Sequence, residues 1–228
     1  MASDVREHFK GLRNSLRNDV LLVLGYHRTI NERTKRSTAR GGFHSIPRQV
    51  FCYIDHIADV LYARGKVSDK AIHFIQEYLG PGQELYRKRA NLIYNMWRHG
   101  TVHEYDPKVF KVETQSAHKT IGWLTNDDAK KKNRAAHLKF AQRPRRPGAH
   151  YLVMNLPQLV DDLMGALRAI IDQLKTNGTF RSECQRRFDK LSSAILAGGQ
   201  VRAEILQAMT EVCLQINRRG ETFGVRRK

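Results

Sequence analysis

The chain has 228 residues, 41% of them hydrophobic, with 40 Lys and Arg against 22 Asp and Glu and a formal charge of +18. That length and apolar content suffice for one sizeable domain with additions or for two small ones. No apolar run reaches the roughly 18 to 20 residues of a membrane span, and the charged N-terminus lacks the apolar centre of a secretory leader, so the expectation is a cytoplasmic protein with no membrane partner.

The excess of positive charge bears on partners more than on fold, and it puts nucleic acid first among them. Cys52, Cys184 and Cys213 are widely spaced, odd in number and set in apolar helical patterns. They predict buried free thiols rather than a disulfide framework or a metal motif.

Residues 1–42 begin with an apolar helical series, Val5, Phe9, Leu12 and Leu16, that leads into VLLVLGY; the basic stretch HRTINERTKRSTARGG behind it reads as an arm or long loop. A second helix is predicted from SIPRQVFCYIDHIADVLYARG, with Ser45 as cap, Pro47 in the first turn, Ile54, Ile57, Ala58 and Leu61 on the apolar face, and Gly65 past its end. Asp55 and Asp59 fall on another face and read as surface charge. A short helix follows in SDKAIHFIQEYLG behind Ser68.

After PGQ, a further helix places Leu85, Arg89, Leu92 and Met96 on one stripe and Tyr86, Ile93 and Trp97 on a second. Beyond Pro107 the segments VFKVET, KTIGWLT, AAHLKFA and HYLVMNL alternate with polar or Pro-rich runs and predict a small antiparallel sheet. Helical spacing returns in LPQLVDDLMGALRAIIDQLKTNG, with Leu156, Leu159, Leu163, Leu167, Ile170 and Leu174 on one face and an Asn-Gly stop. FRSECQRRFDKLSSAILAGG and QVRAEILQAMTEVCLQINRRG predict two more helices, whose AGG joint is more typical of a packing hairpin than of a DNA-reading unit. The fold class is mainly α: a helical bundle with a small antiparallel β insertion and helical extensions at both ends.

The stretch NLIYNMWRHGTVHEYDPK holds the residues of greatest chemical interest. Arg98 and His103 stand about 140° apart on an ideal α-helix, so they share a face only if the helix bends or ends between them, and Gly100 is placed to allow that. A guanidinium beside an imidazole suits RNA cleavage without a metal. The histidine helps the ribose 2′-hydroxyl attack the adjacent phosphate, and the arginine stabilises charge on the phosphoryl oxygens.

With 25 Arg and 10 His in the chain, an arginine followed by a histidine at such spacing is expected on the order of three times by chance. Three instances occur, and Arg98 with His103 alone lies on an apolar-striped helix; Arg143 and Arg145 with His150 lie in a Pro-rich run. The bland reading is that Arg98 and His103 meet the dipole and last carbonyls of a helix end. His99 either contributes to a site or caps the helix, and Asn95 either orients a phosphate or faces solvent.

The motif Arg98, His99, GTV, His103, with its surroundings YNMWRHGTVHEYDPK, resembles that of the HEPN domain family. The likeness covers roughly residues 43–177 and includes the layout of a preceding helix, strands and a long following helix. The resemblance implies a HEPN-like helical domain at 43–177 with the β insertion at about 108–155. A basic helix and arm at 1–42 and a helical hairpin with a basic tail at 178–228 flank it. It further implies a metal-independent endoribonuclease with Arg98 and His103 as catalytic residues, acting as a homodimer on RNA and leaving 2′,3′-cyclic phosphate and 5′-hydroxyl ends.

One subgroup of toxins, paired with nucleotidyltransferase antitoxins, extends the motif to Arg, four residues, His, any residue, Tyr. Tyr105 fits that third position, which chance supplies about 0.04 times. A toxin or phage-defence setting with a possible antitoxin partner follows from that likeness, and a non-catalytic nucleic-acid-binding or partner-binding module is the alternative. Lys130, Lys131, Lys132, Arg134, Arg143, Arg145 and Arg146 flank a predicted strand and are candidate phosphate contacts. No Gly-rich phosphate loop or Cys/His metal spacing occurs, so no cofactor is expected.

Overall fold

The computed structural model describes residues 4–34, 45–104, 108–114, 117–126, 136–142 and 149–196. The chain divides into two compact units, Met1–Arg187 and Phe188–Lys228. The first unit is mainly helical and carries a small mixed sheet.

Helix α1 (Val5–Thr34) buries Val5, Phe9, Leu16 and Val20 completely, the single stripe that helical periodicity demands, and it packs on α2 and α5. It runs on to Thr34, whereas the sequence reading ends it before His27. No Gly or Pro stands between Tyr26 and Thr34, and adding a residue to a formed helix is far easier than starting one. Residues 35–42 of the expected arm lie outside the described residues.

Helix α2 (Ser45–Leu61) carries Pro47 in its first turn and buries Val50, Ile54, Ile57, Ala58 and Leu61. Cys52 sits exposed on its flank, correcting the expectation of a buried thiol there, while Cys184 is buried as expected and Cys213 lies outside the described residues. The chain leaves α2 through Gly65 at φ +106°, a conformation costly for any side chain.

Helix α3 (Val67–Phe74) is preceded by Lys66 as its cap, without a side-chain bond, so Ser68 falls inside the helix rather than before it. It continues into a π-helical turn, Ile75–Leu79. Gly80 follows because nothing larger fits: a Cβ there would meet the Gln76 carbonyl oxygen at 2.1 Å and Arg87 Cγ at 2.7 Å.

Helix α4 (Glu84–Ile93) passes without a break into an eleven-residue π-helical segment, Tyr94–Glu104. Its buried register is Tyr86, Ala90, Ile93 and Trp97 with Met96, so the second of the two sequence stripes faces the core.

The sheet has the order β1-β2-β4-β3, with β1 Phe110–Thr114, β2 Ala117–Asn126, β3 Phe140–Gln142 and β4 Ala149–Asn155. β1–β2 and β3–β4 are antiparallel, but β2 and β4 run parallel, which corrects the wholly antiparallel expectation. The segment 127–148 that joins them is long enough for the crossover of a dozen or more residues that a parallel pair needs.

Helix α5 (Leu156–Thr176) buries all six positions of its expected leucine and isoleucine face. Asn177 closes α5 and its side-chain oxygen accepts from Phe180 N–H at 3.0 Å, starting α6 (Gly178–Leu196). Early in α6, Gln185 Oε1 accepts from Val5 N–H at 2.8 Å and Arg187 Nε donates to the Val60 carbonyl at 2.8 Å, holding the ends of α1 and α2. Among the described residues no helix is long and apolar enough to cross a membrane.

Where β3, α4 and α5 meet, buried polar groups form a chain of hydrogen bonds. Asn155 N–H donates to His137 Nδ1 at 3.0 Å, so the other ring nitrogen carries the proton and donates to the Tyr86 oxygen at 2.9 Å. Tyr86 donates to Asp162 at 3.1 Å, Gln158 Nε2 donates to the same carboxylate at 2.7 Å, and Asn155 Oδ1 caps α5 by accepting from Gln158 N–H at 2.9 Å. His137, Asn155 and Gln158 are fully buried. Replacing Asn155 with Ala removes the cap in a setting that water does not reach, and urea unfolding should read a loss of about 1–3 kcal/mol.

A second prediction concerns the seam between α1 and α2, where His8 Nε2 and His56 Nε2 lie 2.8 Å apart. Desolvation and then repulsion from His56 push His8 down to about 4, and desolvation also lowers His56, against the pull of Asp59. The unfolded chain therefore takes up protons first. The pair's contribution is complete above the ordinary histidine value of about 6.5 and is lost as pH falls from there through about 4. Urea midpoints should fall across that window in the natural chain and fall less steeply in His8→Gln.

Candidate functional site

Two elements build the site, the outer flank of α2 and the π-helical segment that continues α4, and they pack directly on each other. Arg98 donates its Nε to Asp55 Oδ2 at 2.8 Å, with side chains 20% and 13% exposed respectively. Tyr94 donates its hydroxyl to the other oxygen, Asp55 Oδ1, at 2.9 Å. One carboxylate on α2 thus grips two residues of the segment, and Asp55 is not the surface charge that its helical position suggested.

Burial works against the Arg98 charge, but its hydrogen bond to Asp55 and that residue's negative charge outweigh this and hold the guanidinium above its ordinary value. Desolvation and then the same carboxylate raise the Tyr94 phenol, so Tyr94 is a donor over the whole physiological range. Cys52, beside them, is raised by desolvation and then by Asp55, which keeps it a thiol rather than a nucleophile.

The winding of the segment changes the relation between the two motif residues. In a π-helix the backbone bonds run from residue i to i+5, so position 103 comes close to one full turn above position 98 instead of about 140° around from it. The helix neither ends nor breaks at Gly100; it continues to Glu104. Wide π turns are rare and recur at functional sites. His103 is described here by its backbone, and Tyr105 lies outside the described residues.

His99 sets its ring edge-on to Tyr94, centroids 5.5 Å apart at 87°, and Phe51 meets Tyr94 from α2 at 6.4 Å and 79°. Asn95 turns back along its own helix and donates to the Asn91 carbonyl at 2.9 Å and to the Asn91 side-chain oxygen. The structure therefore brings Arg98 and His99 together around Tyr94 and directs Asn95 toward Asn91. Lys130, Lys131, Lys132, Arg134, Arg143, Arg145 and Arg146 lie outside the described residues.

Asp55, Tyr94 and Cys52 are the members that sequence reasoning passed over. The available signal was an acid bordering an apolar helical face, with Phe51 one turn before it and Ile54 beside it. Among the described residues no group of three or more His, Cys, Asp or Glu is placed to hold a metal.

In comparisons with family models, curated proteins and solved structures, nothing matches this chain.

Asp55→Asn keeps the shape but removes the charge opposing Arg98 and one good acceptor for two donors. The expected loss is about 1–3 kcal/mol in urea unfolding, because a partly buried cation and a phenol are left poorly satisfied. Tyr94→Phe, which removes one hydroxyl and leaves the ion pair, should lose less.

Proposed function

We propose that the chain is a metal-independent HEPN-type endoribonuclease. The observation that supports this most directly is the Arg98 guanidinium, oriented through its Nε by Asp55 on a π-helical segment that sets position 103 about one turn above it. In this reading the His103 imidazole takes the proton of the ribose 2′-hydroxyl as that oxygen attacks the adjacent phosphorus. The phosphorus–5′-oxygen bond breaks, the departing oxygen takes a proton from water, and the imidazolium of His103 returns its proton to solvent.

The products are a 2′,3′-cyclic phosphate and a 5′-hydroxyl. Arg98 faces the phosphoryl oxygens as negative charge builds on them, and Asp55 sets the plane of its fork. The resemblance noted in the sequence adds a homodimer with two such motifs across one cleft, and a toxin or phage-defence setting with an antitoxin partner.

A second reading is favoured by the same clamp. Both oxygens of Asp55 are engaged by residues of the segment, as a purely structural tie between two helices would require. On that reading the chain is a non-catalytic module that binds nucleic acid or a partner protein.

Cleavage of end-labelled RNA in excess EDTA separates the two. Arg98→Ala and His103→Ala should each lower the rate by about 10²-fold or more, and Asp55→Asn by on the order of 10-fold through misorientation of Arg98. Product ends should be cyclic phosphates. Absence of cleavage by the natural chain, or rates unchanged in both motif variants, would favour the binding module.

A further inference from the structure

We propose that Arg89 and Phe140 form a stacking platform for a base of single-stranded RNA, away from the Arg98 cluster. The proposal rests on RNA being the substrate and specifies its single-stranded form.

Strand β3 is an outer strand of the sheet, and Phe140 on it is 39% exposed. The register pairs Phe140 with Leu152 and Gln142 with His150, so these four positions share one face of the sheet. The Arg89 guanidinium, from α4, lies over the Phe140 ring with its carbon 4.5 Å from the centroid. Gln142 Nε2 and His150 Nε2 approach to 2.9 Å farther along the strand pair and bring polar groups to the same face.

Arg89 is the unusual member. Its Nη1 is out of water without a hydrogen-bond acceptor, no ion pair joins it to a described carboxylate, and desolvation lowers its pKa from the ordinary arginine value. A cation held partly dry against a ring, with no counter-charge, is destabilising on its own. An arriving polyanion supplies the counter-charge. Lys88 and Lys139, next to the two residues in sequence, are both exposed.

The chemistry chooses among polyanions. An acidic peptide needs positive charge alone, whereas an exposed ring backed by a guanidinium offers a flat π surface, which suits a nucleobase. A duplex keeps its bases stacked on each other and presents only their edges, so a free base requires a single strand.

The test uses the full chain carrying His103→Ala, so that RNA remains intact. Fluorescence anisotropy is read with a labelled strand of about 12 nucleotides, alone and annealed to its complement. Phe140→Ala and Phe140→Leu, the second keeping apolar bulk without a ring, should weaken single-strand binding by about 5- to 100-fold and duplex binding by less than about twofold. Phe140→Trp should retain affinity, and Arg89→Ala should reduce the slope of log affinity against log salt by about 0.7.

Single-strand affinity unchanged in Phe140→Leu, equal weakening of both RNA forms, competition by polyglutamate as effective as by RNA, or no RNA binding by the parent would each overturn the platform. Cleavage by the chain with His103 intact is scored separately. Ring-dependent binding without cleavage leaves the platform and removes the nuclease; cleavage with ring-independent binding does the reverse.

Discussion

The Asp55 carboxylate governs how the second half of the helical bundle meets the first. At 13% side-chain exposure its two oxygens need hydrogen-bond donors in place of water, and Tyr94 and Arg98, both from the π-helical segment, supply one to each. That requirement fixes the rotation of the segment against α2. The edge-on contacts of Tyr94 with Phe51 and His99 follow from the same rotation, since the phenol cannot reach Asp55 without carrying its ring into that position. The tie also sustains the wide winding. A π turn is a poor structure in isolation, and it persists where surrounding contacts over-determine it.

The sheet is anchored by a different device. Its hydrogen-bond chain from Asn155 through His137 and Tyr86 to Asp162 joins the approach to β3, helix α4 and the start of α5. Leu138, next in the chain, takes φ 61°, a left-handed conformation that costs a bulky residue about 1–3 kcal/mol. Its N–H donates to the Val153 carbonyl at 2.7 Å, and its side chain is fully buried. Burial of leucine and the bond to β4 together offset the strain. Reversing the chain here lets His137 face the helices while β3 starts along β4.

Legibility in the sequence tracked how local each determinant is. The α5 face from Leu156 to Leu174 was readable residue by residue, because one apolar period over twenty-one residues has no rival interpretation. In α4, two stripes competed, and the choice between Leu92 and Ile93 as core depended on neighbours that periodicity does not encode. The parallel pairing of β2 with β4 was hidden for a similar reason: alternation marks strands but not partners. At the site, Arg98 was found through its motif, whereas Asp55 lies forty-three residues away on another helix, and no spacing rule links the two. The π winding was invisible as well, and the 140° objection to pairing positions 98 and 103 assumed an α-helix that the chain does not form there.

Arg89 and Arg98, carried by one continuous helix, show how environment divides the same side chain into two roles. Arg98 meets a carboxylate through a charge-assisted bond, and its charge is held in place and reinforced. Among the described residues, Arg89 meets the face of a ring, which attracts a cation far less than a carboxylate does, and one of its nitrogens has no acceptor. A chain with a formal charge of +18 has no shortage of cations, so the distinction among them lies in which are already neutralised. An arginine tied through its Nε to an acid holds its guanidinium plane in one orientation. One held over an aromatic ring at a sheet edge, with no ion pair to a described carboxylate, retains its electrostatic demand for an anion, and the platform proposed above adds a ring for an anion that brings a base.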